Sequence, residues 1–274
     1  MRYVAYERGG RRFAGLRHDG DVRELGPMPA SFAGFRDLVH ARSADPGPKV
    51  ADAVPAMPVF PETRVICLGL NFAEHAREGG REPPDYPAFF VRVDTSLAPN
   101  GSVVPIPRVS TKLDYEAELL AVIGEGGRYI SEGRALDHVF GYGVFNDISV
   151  RDYQRKGGQW TPGKNFDATG IIGEDIVTAD TLPPGASGLR LRSILNGKVM
   201  QDDDTATMIC PVAKAVSLLS DFMTLRPGDL IAMGTPSGVG YARTPPVWLE
   251  EGDEVVVEVE RIGAISNRIG GRDA

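Results

Sequence analysis

The sequence predicts a β-rich protein of the mixed α+β class. Glycine (33) and proline (21) together make up 54 of the 274 residues, which indicates many turns and therefore many short strands. The apolar runs between these turns are mostly a few residues long, as buried strands are. The clearest stripes of apolar residues at helical spacing lie in residues 31–42 and 211–223.

Composition and charge exclude several classes of protein. The net charge is −7 and no run of Lys and Arg stands out, so a nucleic-acid partner is not expected. No apolar stretch approaches the ~20 residues that span a bilayer, and the first ten residues carry charges where a signal peptide needs an apolar core. We therefore expect a cytoplasmic protein with no membrane partner. Cys67 and Cys210 lie in no metal-binding or CxxC spacing, and we expect both to pack as small hydrophobic side chains.

Residues 1–60 are predicted to form a small N-terminal β/α domain. Gly9-Gly10 and Asp19-Gly20 are hairpin signals, because these residues tolerate positive φ. A helix is predicted over 31–42, with Ser31 as its N-cap. Five prolines within residues 43–62 mark a linker, so we place a larger catalytic domain at 61–274.

The larger part continues as short strands separated by turns and a few helices. Asn196-Gly197 is a strong hairpin signal, and residues 253–260 alternate between valine and charged residues, as a half-buried strand does. The predicted strands lie at about 64–70, 88–93, 102–105, 115–123, 141–147, 189–195 and 253–260. The predicted helices lie at about 71–80, 131–139, from 149 onward, and 211–223.

Three carboxylates are candidates for a metal site. On a strand, Glu116 and Glu118 point to the same face because side chains alternate. Asp147 ends the apolar strand 141–147 and could complete a set of three oxygen ligands. Such ligands suit Mg²⁺, Mn²⁺ or Ca²⁺. A solvated strand edge and a helix cap are the alternative explanations of these residues.

Further residues are candidates for catalysis. His75 and Glu78 are three apart, so on a helix they share a face and could act together as a general base; a surface ion pair is the alternative. Lys164 could stabilise an enolate as a fixed positive charge, although a surface lysine is the more common case. The glycine-rich loop 234–240 follows an apolar strand and could present backbone N–H groups to an anion.

Taken in order, these segments resemble the fumarylacetoacetate hydrolase family over roughly residues 64–270. The resemblance implies a rolled mixed β-sheet core, a small N-terminal domain in front of it, and assembly as a homodimer. It rests on the ordered segments 71–78, 114–119, 141–154, 163–167, 196–201 and 234–239.

The resemblance also implies a set of site residues. Mg²⁺ or Mn²⁺, with Ca²⁺ as a possible substitute, would be held by Glu116, Glu118 and Asp147. The partner would be a small 2-oxo acid substrate. It would be oriented by Arg151, Gln154 and Thr235 and stabilised as an enolate by Lys164, while His75 and Glu78 would lie on a lid and activate water.

The expected reaction is hydrolysis of the C–C bond of an acylpyruvate-type 1,3-dicarbonyl acid through a metal-bound pyruvate enolate, as in aromatic catabolism. A decarboxylase or isomerase of a 2-oxo dicarboxylic acid, such as oxaloacetate or 2-hydroxyhepta-2,4-diene-1,7-dioate, is the alternative within the family. A non-catalytic metal-dependent binding protein is a more remote alternative. Phe72 and Met233 stand where family members usually have Tyr and Thr, which indicates a different substrate, and Phe72 favours a less polar substrate tail.

Overall fold

The computed structural model describes residues 1–273, and the β-rich mixed α+β class predicted from the sequence is confirmed. Twenty strands lie within these residues. They are β1 (Arg2–Arg8), β2 (Arg11–His18), β3 (Asp21–Pro27), β4 (Lys49–Val50), β5 (Val54–Pro55), β6 (Val65–Gly69), β7 (Ala88–Arg92), β8 (Leu97–Pro99), β9 (Val103–Ile106), β10 (Leu113–Asp114), β11 (Ala117–Ile123), β12 (Val139–Asp147), β13 (Ser149–Val150), β14 (Gly170–Ile172), β15 (Asp175–Thr178), β16 (Arg190–Leu195), β17 (Lys198–Asp204), β18 (Leu230–Ala232), β19 (Glu254–Val259) and β20 (Gly263–Arg272).

Helices are few and short. The α-helices of residues 1–273 are α1 (Phe32–Arg42), α2 (Ala73–Glu78), α3 (Arg151–Gln154), α4 (Thr161–Lys164) and α5 (Val212–Phe222). Single 3₁₀ segments lie at Asp94–Ser96, Glu132–His138, Ala179–Thr181, Pro184–Ala186, Thr205–Thr207 and Gly240–Ala242. Within residues 1–273, no helix has the length and apolar character that crossing a bilayer requires.

Most strands belong to one large mixed sheet of thirteen strands. Its main path runs β4-β3-β2-β1-β15-β12-β11-β18-β6-β7, and β5, β8 and β14 join it from the side. Neighbours are mostly antiparallel, but β18 runs parallel to β6. A second sheet has the order β17-β16-β19-β20-β9, and β10 pairs with β13 alone.

The local signals predicted from the sequence have their physical causes in the structure. The Ser31 hydroxyl accepts a hydrogen bond from the Gly34 N–H at 3.2 Å and so caps α1. Asn196 and Gly197 both adopt positive φ in the turn between β16 and β17, as a tight hairpin requires. The helix predicted over 131–139 is a 3₁₀ segment. Cys67 and Cys210 are buried free thiols.

The paired strands β11 and β12 lie at the centre of the core. Leu119 and Ala121 of β11 belong to the same apolar cluster as Val257 of the second sheet, which covers one face of the pair. Leu120 on the opposite face clusters instead with Phe32 of α1. Because both faces are covered, β11 is buried along its whole length, and polar side chains at its start are held rigidly.

The N-terminal strands extend the large sheet through β1, which pairs antiparallel with β15. The register places Tyr3 opposite Ile176, and Arg17 of β2 makes a bidentate ion pair with Asp175. The division into two domains near residue 60 remains a prediction.

Candidate active site and metal centre

Strand register brings the three predicted metal ligands together. β11 and β12 are antiparallel, with Glu118 opposite Phe145 and Ala117 opposite Asn146. The same register places Asp147 beside Glu116, and the Asp147 N–H donates to the Glu116 carbonyl at 2.9 Å. Although Glu116 lies just before β11 rather than within it, the ligand oxygens of Glu116, Glu118 and Asp147 all lie within 4.8 Å of one another and are buried.

The loop after β18 closes one side of this carboxylate triad. The Met233 N–H donates to Leu119 O at 2.9 Å, so the next residue reaches Glu118, and the Gly234 N–H donates to Glu118 Oε2 at 2.9 Å. Gly234 has φ +84°, and a Cβ there would lie 2.7 Å from the Asn71 Cβ. Only glycine allows this close approach without strain.

Three buried cations contact the triad directly, namely Lys164, Arg92 and Arg151. Lys164 Nζ lies 2.6 Å from Glu116 Oε2 and 2.5 Å from Asp147 Oδ2, and the residue is only 2% exposed. Arg92, which the sequence analysis did not single out, donates from Nε to Asp147 Oδ1 at 2.5 Å. Lys164 is therefore a buried member of the site rather than a surface lysine.

Glu118 is the carboxylate that the protein's own cations balance least. Its one hydrogen-bond partner among residues 1–273 is the Gly234 N–H, and burial together with the charges of Asp147 and Glu116 raises the pKa of Glu118 well above its usual range. A divalent cation would supply the missing countercharge, and three carboxylate oxygens are the donors that Mg²⁺ and Mn²⁺ prefer. The residues present therefore fit a divalent metal.

The predicted His75–Glu78 pair forms on α2, above the triad. His75 Nδ1 lies 2.8 Å from Glu78 Oε1, and His75 is only 6% exposed. The other oxygen of Glu78 accepts a hydrogen bond from the Gly238 N–H at 2.8 Å. Glu78 thus fixes the pair to the glycine-rich loop, and His75 lines the cavity, unlike a solvated surface residue.

Arg151 lies between the triad and a buried anchor. Its Nη1 is 2.6 Å from Glu116 Oε1 and donates to Gln154 Oε1 at 3.1 Å, while its Nε donates to Asp114 Oδ2 at 2.8 Å. Burial lowers the pKa of Arg151, but Glu116 and Asp114 outweigh it and raise that pKa overall. Arg151 Nη2 is buried without a hydrogen-bond partner among residues 1–273.

Gln201 positions the predicted substrate contact Thr235. Its Nε2 donates to Thr235 Oγ1 and to Pro236 O, both at 2.7 Å, and its Oε1 accepts from the Ala117 N–H at 3.0 Å. One buried amide thus fixes the glycine-rich loop to the start of β11.

The predicted site residues, with the exception of Glu78, line one cavity of about 260 Å³. Its floor consists of the triad with Lys164, and its walls include aromatic side chains that the sequence analysis had not assigned. The Trp160 ring lies so close to Gly69 that a Cβ on Gly69 would be 1.8 Å from it. The predicted site residues that line the cavity are His75, Glu116, Glu118, Asp147, Arg151, Gln154, Lys164 and Thr235. The lining residues that were not predicted are Leu68, Gly69, Leu70, Gly79, Arg81, Phe90, Arg155, Gly157, Trp160 and Tyr241.

Several positioning residues were missed because their signal is not local in sequence. Arg92 ends an unremarkable apolar strand, yet it reaches Asp147. Asn71 donates to Cys210 O and Met233 O at 3.0 and 2.7 Å, which fixes the start of α2. Asp114 accepts from the Gly240 N–H at 2.7 Å. Asn71 and Asp114 lie within the segments that support the family resemblance. That resemblance was the one signal in the sequence that could have identified them.

Comparison with known proteins agrees with this architecture. The chain is 39% identical over 214 residues to the mitochondrial oxaloacetate tautomerase FAHD2A of Bos taurus, covering 77% of this chain and 68% of that protein. The solved fumarylacetoacetate hydrolase (EaFAH) from psychrophilic Exiguobacterium antarcticum matches with a TM-score of 0.84 at 31% identity, covering 99% of this chain and 100% of that chain. Fumarylpyruvate hydrolase from Pseudomonas aeruginosa, solved with Mn²⁺ and pyruvate, matches with a TM-score of 0.71 at 33% identity, covering 81% and 93% of the two chains.

The family model for the fumarylacetoacetate (FAA) hydrolase C-terminal domain matches residues 64–270. These are the residues that build the triad, the α2 pair and the glycine-rich loop. The chain therefore belongs to the fumarylacetoacetate hydrolase family.

Proposed function

We propose that this chain is a metal-dependent enzyme that acts on a small 2-oxo acid through its enolate. The observation that carries the proposal is the convergence of the carboxylate triad, Lys164 and His75 on one cavity, with Glu78 bound to His75 Nδ1. A divalent cation held by the triad would polarise the 2-oxo acid. Lys164 would stabilise the negative charge that develops on the enolate oxygen, and Arg151, which lines the same cavity, would orient the acid.

Hydrolysis of an acylpyruvate is the reaction that the His75–Glu78 pair favours. His75, oriented by Glu78, would take a proton from water, and the hydroxide would add to the distal carbonyl carbon. The bond from that carbon to the CH₂ would then break, its electron pair would form the pyruvate enolate, and protonation of the CH₂ carbon would give pyruvate and a free acid. The relative that was solved in complex with Mn²⁺ and pyruvate is a fumarylpyruvate hydrolase.

Keto–enol interconversion of oxaloacetate is the second candidate, favoured by the identity to oxaloacetate tautomerases. It needs the same base and the same enolate stabilisation but breaks no C–C bond. Decarboxylation or isomerisation of a 2-oxo diacid would again use the enolate. The cytoplasmic location, the homodimer and the identity of the ion as Mg²⁺ or Mn²⁺ remain predictions.

A turnover panel with Mg²⁺, Mn²⁺ and EDTA separates these reactions. The substrates are acetylpyruvate, fumarylpyruvate, oxaloacetate and 2-hydroxyhepta-2,4-diene-1,7-dioate, read by absorbance and by product mass. Metal-dependent release of pyruvate plus a free acid would identify a hydrolase, and loss of the oxaloacetate enol signal at constant mass would identify a tautomerase. Carbon dioxide release would identify a decarboxylase. If EDTA changes no rate on any substrate that is turned over, the metal-dependent proposal is wrong.

Replacing His75 tests the base. We expect His75→Ala to lower kcat by about 10²–10⁴-fold, the usual contribution of a general base, with a smaller change in KM. Arg77→Ala is the matched control, because Arg77 lies on the same helix but is exposed and pairs only with Glu74. Full turnover by His75→Ala on a cleaved substrate would contradict the assignment.

A further inference from the structure

Two arginines at the mouth of the cavity have no part in the function proposed above. Arg81 follows α2, and its backbone N–H donates to Ala76 O at 2.9 Å. Arg155 follows α3 directly. Both side chains line the cavity and are exposed. Neither has a carboxylate within 4.0 Å nor a side-chain hydrogen bond among residues 1–273.

Aromatic rings of the cavity wall lie beside both guanidinium groups. The Arg81 guanidinium lies 6.0 Å from the centre of the Trp160 ring, and the Arg155 guanidinium lies 4.5 Å from the centre of the Tyr241 ring. A guanidinium stacked on a ring keeps its N–H edge free, which is the geometry that binds a carboxylate with two hydrogen bonds.

Both arginines connect to the floor of the cavity through neighbouring residues. Arg155 is four residues after Arg151, which places both on the same side of a helical turn, and both guanidinium groups contact the Tyr241 ring, at 4.5 and 4.6 Å. On the other wall, the Trp160 ring contacts Phe90, whose ring centre lies 5.2 Å from Lys164 Nζ. Both arginines therefore line the same cavity as the triad, on walls that also contact Arg151 and Lys164.

The charge of the cavity indicates a ligand with more than one negative charge. Three carboxylates and four cationic side chains line it: Glu116, Glu118, Asp147, Arg81, Arg151, Arg155 and Lys164. A divalent cation on the triad would make the excess of positive charge larger still. One 2-oxo acid carboxylate would leave most of that excess unbalanced, and a second carboxylate near the mouth would reduce it where Arg81 and Arg155 lie.

We propose that Arg81 and Arg155 form a second anion subsite, which binds the distal carboxylate of a dicarboxylic 2-oxo acid and selects such acids over monocarboxylic ones. The proposal rests on the function proposed above, because it requires the 2-oxo acid end to bind at the triad. It is independent of whether the reaction is hydrolysis, tautomerisation or decarboxylation.

Binding of two matched acids tests the subsite. 2-Oxoglutarate and 2-oxopentanoate have the same carbon count and differ in the second carboxylate. In titration calorimetry with saturating Mn²⁺, we expect the wild-type protein to bind the diacid at least about tenfold more tightly. Arg81→Gln and Arg155→Gln should each reduce this preference several-fold, and the double variant should nearly abolish it. Both side chains are exposed, so thermal melting should show unchanged folding.

The controls separate failure of the subsite from failure of the function. Lys156→Gln removes an exposed positive charge beside Arg155 that does not line the cavity, and it should keep the wild-type preference. Oxalate has no distal group and should bind all variants equally when Mn²⁺ is present. A preference that persists in the double variant, or that is absent from the wild type while oxalate binds, overturns the subsite alone. If oxalate and both 2-oxo acids fail to bind, the proposed function is overturned as well.

Discussion

Glu118→Gln is expected to abolish metal binding without destabilising the metal-free protein. The change removes one of three metal ligands, so we expect metal-dependent turnover to fall by at least about 100-fold. In EDTA the variant should melt at the same temperature as the wild type or higher. The reason is that Glu118 is a buried carboxylate near two others, and a neutral amide removes that repulsion.

Thermal melting with and without Mn²⁺ measures both effects. A metal present at 100 times its dissociation constant stabilises a folded protein by about 2.7 kcal/mol, which for a chain of this size raises Tm by roughly 5–10 °C. The wild type should show this rise and Glu118→Gln should not. Glu125→Gln, at an exposed glutamate, should behave like the wild type. A variant that keeps the Mn²⁺-dependent rise would show that the metal does not bind at the triad.

Strand periodicity and family resemblance were enough to select from the sequence the three carboxylates that the structure brings together as candidate metal ligands. The alternation of side chains placed Glu116 and Glu118 on one face, and Asp147 was found because an apolar run stops there. The sequence did not reveal that β11 and β12 pair in the register that brings Asp147 beside Glu116. That register depends on contacts between distant segments, which no local pattern encodes.

Burial separates the catalytic candidates from ordinary surface residues, and burial could not be predicted from the sequence around them. A lysine between glycine and asparagine, or a histidine three residues before a glutamate, looks the same on a surface as in a site. Lys164 and His75 are distinguished by their buried neighbours. Lys164 at the end of α4 lies between Glu116 and Asp147. His75 pairs with Glu78, which the Gly238 N–H holds in place. Arg92 had no sequence signal at all, because its role depends on the neighbour that folding supplies.

Arg92→Met is expected to cause the largest loss of stability among these changes. Arg92 is fully buried and donates to Asp147 Oδ1 at 2.5 Å, to Ile148 O at 2.6 Å and to Thr169 Oγ1 at 3.0 Å. Methionine has no donor, so it leaves these acceptors without their partner and Asp147 without one of its two countercharges. Breaking a buried ion pair in this way costs about 3–5 kcal/mol, which corresponds to a fall in Tm of roughly 6–20 °C.

The response to metal distinguishes Arg92→Met from a nonspecific loss of packing. A divalent cation beside Asp147 would replace part of the lost positive charge, so Mn²⁺ should restore part of the stability of Arg92→Met, whereas it should do nothing for Glu118→Gln. Arg134→Met is the matched control, because this exposed arginine pairs only with Asp137 three residues away and should change stability by less than about 1 kcal/mol. An Arg92→Met protein with wild-type Tm and wild-type Mn²⁺ affinity would show that Asp147 is held in place without Arg92, and that Lys164 alone is enough to balance its charge.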